Sequence, residues 1–539
     1  GGGPVREWSI DPPLPEGLAF DPATGVVTGT PEDPAAAAVY TVTATNLAGA
    51  TQGTIDLSVR LNHAYSWAPE TRTLSLDDQR HFLGRTHLGV RGPELAALQA
   101  NGLDATIDDM LIMQSGTAIE AAAFAELVNP TDPPGLEGGF PYQYQQARWW
   151  ERIMRDTDRP FQEVMAFFWH DHMPTSYNVL GAGYTHFFTD YANLLRHEAT
   201  GNFRNLMLSI SRDQSMLIYL DGYANSRFRP NENYAREFWE LFTLGVDQGY
   251  TQADIVQSAK AFTGWQFRYD PVTTRYYMQF NPNLHDTGPK SFFGVTIPGQ
   301  NAGDDFAAVV DITLAQRPVD RFVTKKIFEF FCYEAPPESL VDAMAADLRG
   351  SGWELKPFLR NLFRSEAFFS KKSMARRAKN ALEYTIGLQR TTGLKMRLDY
   401  TDYFQSLLGQ RPGDPPTVNG WPLGTFWFSA ASMVNRTNTA WYIVYLVAEQ
   451  TAAGINVADI LPPVAERTAP AVVDTVAGLM RVPLTTAERT LLIDYLNTQR
   501  QANGTVLASP FNGASQQHLD ERVRGLIYIL AQNPWHQVK

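Results

Sequence analysis

The stretch FRPNENYAREFWELFTLGVDQGYTQADIVQSAKAFTGW, residues 228–265, constrains this chain more than any other. It reads as two helices joined by a short turn. Pro230 and Asn231 can start the first helix and Gly245 can end it. Thr251, with Asp254 three residues on, predicts a capping box for the second, which Gly264 can close. On a helical wheel Glu232, Arg236, Glu240, Asn233 and Glu237 share one side, while Tyr234, Phe238, Leu241 and Phe242 share the other. Three carboxylates, an amide and a guanidinium on one face make either a polar site or a solvated face. Glu232 and Arg236 also stand at i,i+4 in the order that favours an ordinary helix pair.

From Leu74 onward helical periodicity dominates. It predicts helices at 79–88, 93–99, 142–155, 161–172, 184–198, 203–211 and 304–315. Others follow at 319–331, 339–349, 375–389, 441–450, 487–499 and 517–531. Residues 266–293 are the exception: FRYDPVTTRYYMQF reads as a hairpin around 271–274 that carries HDTGPK onto a loop just after the helix pair. A second irregular stretch, GQRPGDPPTVNGWPLG, occupies 409–424.

Residues 1–60 differ in kind, with turn clusters (DPPLPEG, DPATG, GTPEDP) around short alternating β-branched runs. Gly17, Gly25 and Gly29 fit turns of positive φ, and Asp21 and Thr24 can hydrogen-bond the turn between them. The pattern LPEGLAFDPATGVVTGTP followed by YTVTATNLAGA resembles the immunoglobulin-like modules of bacterial surface and secreted proteins. Little precedes Trp8 to make a first strand, so a longer precursor is expected upstream. The expected fold class is mainly α. Residues 1–60 form a partial immunoglobulin-like β-sandwich, 61–75 a linker, and 76–539 a large all-helical domain with a small β-hairpin insertion.

The formal charge of −12 argues against a nucleic-acid partner unless a local basic stripe exists. The best candidate stripe, KKSMARRAK at 371–379, reads as a solvated helix start. Cys332 is the only cysteine, and its setting IFEFFCYE is that of a buried filler rather than a nucleophile. No apolar run approaches the roughly 20 residues that a membrane span requires. GGGPVREW carries no basic-then-apolar leader, so either a leader has been removed or the chain was never exported. Aromatic residues make up 12% of the chain, which suits a large helical core or stacking platforms for sugar rings.

The run PNENYARE…LFTLGV…YTQADI…AFTGW resembles the signature of a large bacterial family, domain of unknown function 1800. Five further stretches match it: FWHDHM at 168–173, HEATGNFRNLMLSISRDQSMLIYLD at 197–221, HDTGPKSFFG at 285–294, LFRSEAFFS at 362–370 and VNGWP at 418–422. The resemblance covers about Leu76 to the C-terminus and implies no chemistry, because none is assigned to the family.

The chemistry is therefore read from the residues. Glycosidic cleavage needs two carboxyl groups astride a bond, one kept protonated by burial, with aromatic walls to hold the sugars. Glu237 borders the apolar side of its helix and is the acid expected to be desolvated, with Asp171, Glu232, Glu240 and Asp286 as candidate partners. Asn231, Asn233 and Arg236 would orient a ligand or lock the carboxylates, and Trp169, Trp265 and Trp421 would line a groove. Tryptophans at helical spacing are otherwise simply core. A divalent metal held by His170, His172 and His285 with Asp171 and Asp286 is a further reading. Its spacing matches no strong zinc pattern, and in a helix His170 and His172 point roughly 200° apart, as a cap and a core residue would. No GxSxG elbow, P-loop or dinucleotide fingerprint is present. The expectation is an exported bacterial protein, secreted or on the cell surface, that hydrolyses an extracellular glycan through paired carboxylates. The alternatives are a non-catalytic cell-surface or glycan-binding protein and a metal-dependent enzyme.

Overall fold

The computed structural model describes residues 4–29, 35–59, 63–128, 143–181, 184–272, 275–299, 302–374, 377–446 and 455–539. The chain divides into two compact units, Gly1–Ser66 and Trp67–Lys539.

In the first unit the alternating runs become β1 (Glu7–Asp11), β2 (Leu18–Phe20), β3 (Val27–Gly29), β4 (Ala35–Asn46) and β5 (Gly49–Val59). One antiparallel sheet has the order β1-β4-β5, and β2 pairs with β3 in another. Little precedes Trp8, yet the first strand contains Trp8 itself, opposite Ala44. Gly25, at φ 73°, lays its turn on the Trp8 indole; a Cβ there would lie 2.8 Å from the ring. Asp21 and Thr24 close that turn as expected. The Thr24 hydroxyl donates to the Asp21 carboxylate at 2.6 Å, and the Ala23 N–H does so at 2.8 Å.

The second unit is helical, and the apolar faces of its helices bury two continuous cores. The larger is strongly aromatic, with Phe82, Trp150, Trp169, Phe238, Phe331 and Phe363. The smaller gathers Val472, Val476, Leu496, Leu526 and Leu530 nearer the C-terminus. The Ala381–Thr392 helix belongs to both. Every residue in it is buried, with Ile386 in the first core and Leu388 in the second. Its start is fixed by a capping box of Asn380 and Glu383.

That start corrects the reading of KKSMARRAK as a solvated helix start. The N–H groups of Arg377 and Lys379 donate instead to the carbonyls of Lys539 and Gln537, at 3.3 and 2.9 Å, and Arg377 is buried. The helix itself begins only at Ala381, after the run, where Asn380 caps it. The helix predicted at 441–450 is Ala430–Tyr445, and residues 447–454 lie outside those described. The one predicted at 487–499 stops at Leu496, because Thr498–Arg500 pairs with Val506–Ala508 in a hairpin. Residues just after Ser66 pair with the helical unit: Glu70 N–H donates to the Arg364 carbonyl at 2.6 Å, and Glu366 N–H to that of Ala68 at 2.8 Å.

The 228–265 stretch forms its helix pair with an irregular middle. An α-helical segment, Asn233–Glu237, runs into a π-helical turn, Phe238–Thr243. There Leu244 N–H donates to the carbonyl of Trp239, five residues back, at 2.9 Å. Gly245 ends the segment at φ 95°, and the Thr251–Asp254 capping box starts the Gln252–Ala261 helix as expected. Gly264, at φ 117°, turns the chain into the Trp265–Asp270 and Arg275–Phe280 hairpin. A smaller hairpin, Lys290–Phe292 with Val295–Ile297, follows it.

A chain shortened to begin at Trp67 is expected to keep its helical circular dichroism and a cooperative thermal transition, since each unit has its own internal contacts. Aggregation of that chain, beside a soluble full-length protein, would count against two independently folding units.

Candidate functional site

The FWHDHM motif closes the Pro160–His172 helix, in which every residue from Pro160 to His170 is buried. Its last three side chains leave for three different partners. His170 is ringed by Trp150, Phe188 and Trp421, with centroids 5.5, 5.6 and 5.5 Å away. Its Nε2 accepts the N–H of Gly413 at 3.1 Å, and burial holds its pKa down at about 3, so the ring stays neutral and able to accept. Asp171 Oδ1 accepts the N–H of Trp421 at 2.7 Å. Gly420, at φ 74°, packs so closely here that a Cβ would sit 2.2 Å from the Asp171 carbonyl oxygen. His172 Nε2 donates to the Phe242 carbonyl on the π turn at 2.9 Å, and burial, aided by the Lys326 charge, lowers its pKa to about 3.

Between this helix end, the π turn, the Arg317–Phe331 helix and the loop carrying Trp421 lies a cleft of about 260 Å³. Asp171, His172, Glu240 and Trp421 line it, together with Lys326 and Asn419. Burial pushes the Asp171 carboxyl up to about 7, against the opposing pull of the Trp421 N–H and the Lys326 charge. Glu240 carries an ion pair to Arg236 at 3.3 Å. The Trp421 indole is stacked on Phe167 at 5.4 Å and 23°, which makes it a fixed wall.

The other expected residues are placed elsewhere. Glu237 is half-buried and does not line the cleft; desolvation raises its pKa, with Glu240 adding to the effect and Arg236 opposing it. Among the described residues it makes no hydrogen bond. Glu232 pairs with Arg236 at 3.1 Å, and Gln252 ties both together at 2.6 and 2.8 Å. Asn231 and Asn233 organise the helix start: Asn233 N–H donates to Asn231 Oδ1, and Asn231 N–H to Asn225 Oδ1, each at 2.9 Å. Trp169 is core, fully buried, with Nε1 donating to the Ala199 carbonyl at 2.9 Å. Trp265 packs against Phe280 and Phe306 at 5.8 and 6.2 Å. Of the three tryptophans named from sequence, Trp421 alone lines this cleft.

The HDTGPK loop is bonded to itself and its neighbours. His285 Nδ1 donates to the Thr263 carbonyl at 2.9 Å, and its Nε2 meets Asp305 Oδ2 at 3.1 Å. Lys290 reaches the same Asp305 oxygen at 2.8 Å and the carbonyls of Asp286 and Gly288 at 2.5 and 2.8 Å. Asp286 Oδ1 accepts the Gly288 N–H at 2.9 Å. The imidazoles of His170, His172 and His285 thus serve three separate networks. Among the described residues no group of three His, Cys, Asp or Glu side chains is arranged to hold a metal.

Lys326 and Asn419 were not singled out in the sequence. Lys326 sits four residues from both Phe322 and Phe330, a lysine between aromatic positions on one helix face. Glu151, in RWWERIM, was also missed. It is fully buried, and burial together with Asp402 raises its pKa well above the usual carboxylate range, while Arg411 and Arg148 oppose.

Fold and site define a two-unit protein, an immunoglobulin-like β unit followed by a helical unit whose cleft holds two carboxylates and a fixed indole. The chain belongs to the family described as "Protein of unknown function (DUF1800)", whose model matches residues 81–537. The model described as "Putative Ig domain" matches residues 3–61. No curated protein and no solved structure matches the chain. Among the described residues no helix is long and apolar enough to cross a membrane.

Asp171 gives this site a pH signature. Its folded-state pKa of about 7 lies above the ordinary 3.8, so the native state favours the neutral carboxyl. That contribution is full below about pH 4 and is lost as pH rises through about 7, at up to about 1.4 kcal/mol per pH unit. Asp171→Asn keeps an acceptor for the Trp421 N–H but cannot ionise. Its unfolding free energy is expected to fall less than that of the wild type between pH 4 and 7; equal slopes in denaturant titrations would refute the shift.

Proposed function

We propose that the protein is an exported bacterial hydrolase that cleaves an extracellular glycan in the cleft at the end of the FWHDHM helix. The observation that carries this reading is the Asp171 carboxyl, held near 7 in a cleft that also contains Glu240 and the Trp421 indole. An acid that is half protonated near neutrality suits proton donation to a leaving oxygen. In the proposed reaction the Asp171 proton passes to the glycosidic oxygen and the bond from that oxygen to the anomeric carbon breaks. Water adds its hydroxyl to that carbon and gives its proton to Glu240. Trp421, only 5% exposed, closes one wall of the cleft, and Asn419 and Lys326 offer donors for sugar hydroxyls. The hairpin exposes the cross-strand pair Tyr269 and Tyr276 on one face, with Tyr277 on the other, and that pair is a surface on which a sugar can stack. The immunoglobulin-like unit supports an extracellular location, by likeness to modules of surface proteins.

A non-catalytic glycan-binding protein is the second reading. The bonded set Glu232, Arg236, Glu240 and Gln252 favours it, because Glu240 is engaged by its own helix.

Reducing-end release from a panel of purified polysaccharides separates the two. Cleavage is expected for the wild type, with Asp171→Asn and Glu240→Gln each losing roughly 10²-fold or more while melting near the wild-type temperature. Binding without cleavage supports the second reading. Full activity in both variants would remove the cleft from the mechanism.

A further inference from the structure

A polar seam runs where the two cores of the helical unit meet. Among the described residues six cationic side chains, Arg85, Arg377, Lys379, Arg436, Arg481 and Lys539, stand there around one carboxylate side chain, Glu383. Glu383 is paired with Arg377 and, at 2.5 Å, with Lys539. Asp77, which also acts on Arg481, is 85% exposed and bonded to Arg80 at 3.3 Å. In a chain of net charge −12, this interior is locally short of anions.

The hydrogen bonding shows the same shortage. A guanidinium is donor-only, with five N–H groups. Among the described residues Arg85 Nε and Nη1, Arg377 Nε and Arg481 Nη1 are buried without a hydrogen-bond partner. His536 donates from Nδ1 to the Met480 carbonyl at 3.1 Å, so its buried Nε2 is an acceptor and adds nothing to this shortage. Arg85 and His536 are 0 and 3% exposed. Arg481, Lys379 and Lys539 line a cavity of about 20 Å³ at the seam, with the Glu383 carboxylate, His536, Leu479 of one core and Met480 of the other; Arg85 and Arg377 stand behind this lining. That is room for one water-sized species. Gly84 makes the space for Arg481, since a Cβ there would lie 2.3 Å from Nη1. Arg481 is partly exposed and marks the way in.

We propose that this cavity binds one small inorganic anion of halide size, which neutralises the seam and ties the two cores together. Water in the same place would accept hydrogen bonds but bring no charge. Phosphate or sulfate, with four oxygens, exceeds the room. Without an anion the lysines are left to give up protons: burial takes Lys539 down to about 7 and lowers Lys379 and Arg85 well below their usual ranges. A ligand bound only by the folded chain stabilises it in proportion to its occupancy.

The test uses the full chain, dialysed into sodium gluconate and titrated with sodium bromide at constant ionic strength. A saturable rise in melting temperature is expected, and bromide-soaked crystals should give an anomalous peak beside Arg481 and Lys539. Arg481→Gln, at the outer edge of the seam, should fold and raise the half-saturating bromide concentration at least tenfold. Equal melting in gluconate and bromide, with no anomalous peak in the cavity, would overturn the proposal. Peaks confined to surface sites would do the same, as would an Arg481→Gln titration that matches the wild type.

Discussion

Two backbone N–H groups, those of Gly413 and Trp421, donate to side chains at the end of one helix, and the cleft depends on both bonds. The 409–424 stretch is rich in Pro and Gly and has no ladder of its own, so its buried donors need acceptors from elsewhere. His170 and Asp171 supply them. The approach is close enough to require glycine, because a Cβ on Gly413 would lie 2.6 Å from Phe188 and one on Gly420 would strike Asp171. A protonated His170 would lose its acceptor, and the aromatic cage that keeps it neutral therefore also holds the loop. Anchoring and desolvation are a single act here: the loop that takes one Asp171 oxygen also helps to wall that carboxyl off from water.

Much of this was legible in the sequence, and the part that was not has a common cause. Thr251–Asp254 and the glycines at 245 and 264 could be read because capping and positive φ are local properties. Asp171, Glu240 and Trp421 were among the candidates because they stood in motifs. Their meeting, and the arrival of Lys326 from another helix, depends on tertiary packing that no window of sequence contains; Asn419 stood in the VNGWP motif beside Trp421. Glu237 was favoured because a wheel sets it at the edge of the apolar face; desolvation does raise its pKa, but its position leaves it off the cleft lining. Trp169 illustrates the opposite error: a groove was imagined for a side chain that completes a core.

The basic run at 371–379 carries a related lesson about charge. Summed over the chain, acids outnumber bases, and a short cationic segment looks like surface. In the fold, Arg377 and Lys379 bridge the backbone next to Lys539 and face a helix buried along its whole length. Charge balance in a protein is settled locally, within a few ångströms, and a net value says little about any interior.

The π turn has a consequence for chain length. A turn closed by bonds to the fifth residue back holds one residue more than its α-helical equivalent. Between Phe238 and Thr243 the helix can therefore shed a single residue and relax into a regular coil without losing either flank. A deletion on the N-terminal side of Glu240 would turn that side chain by about 100° relative to the helix start, out of line with Asp171. One on the C-terminal side would leave Glu240 in place and shift the Phe242 carbonyl that receives His172. A one-residue gap in this segment would thus mark, by its position, which wall of the cleft had been rebuilt.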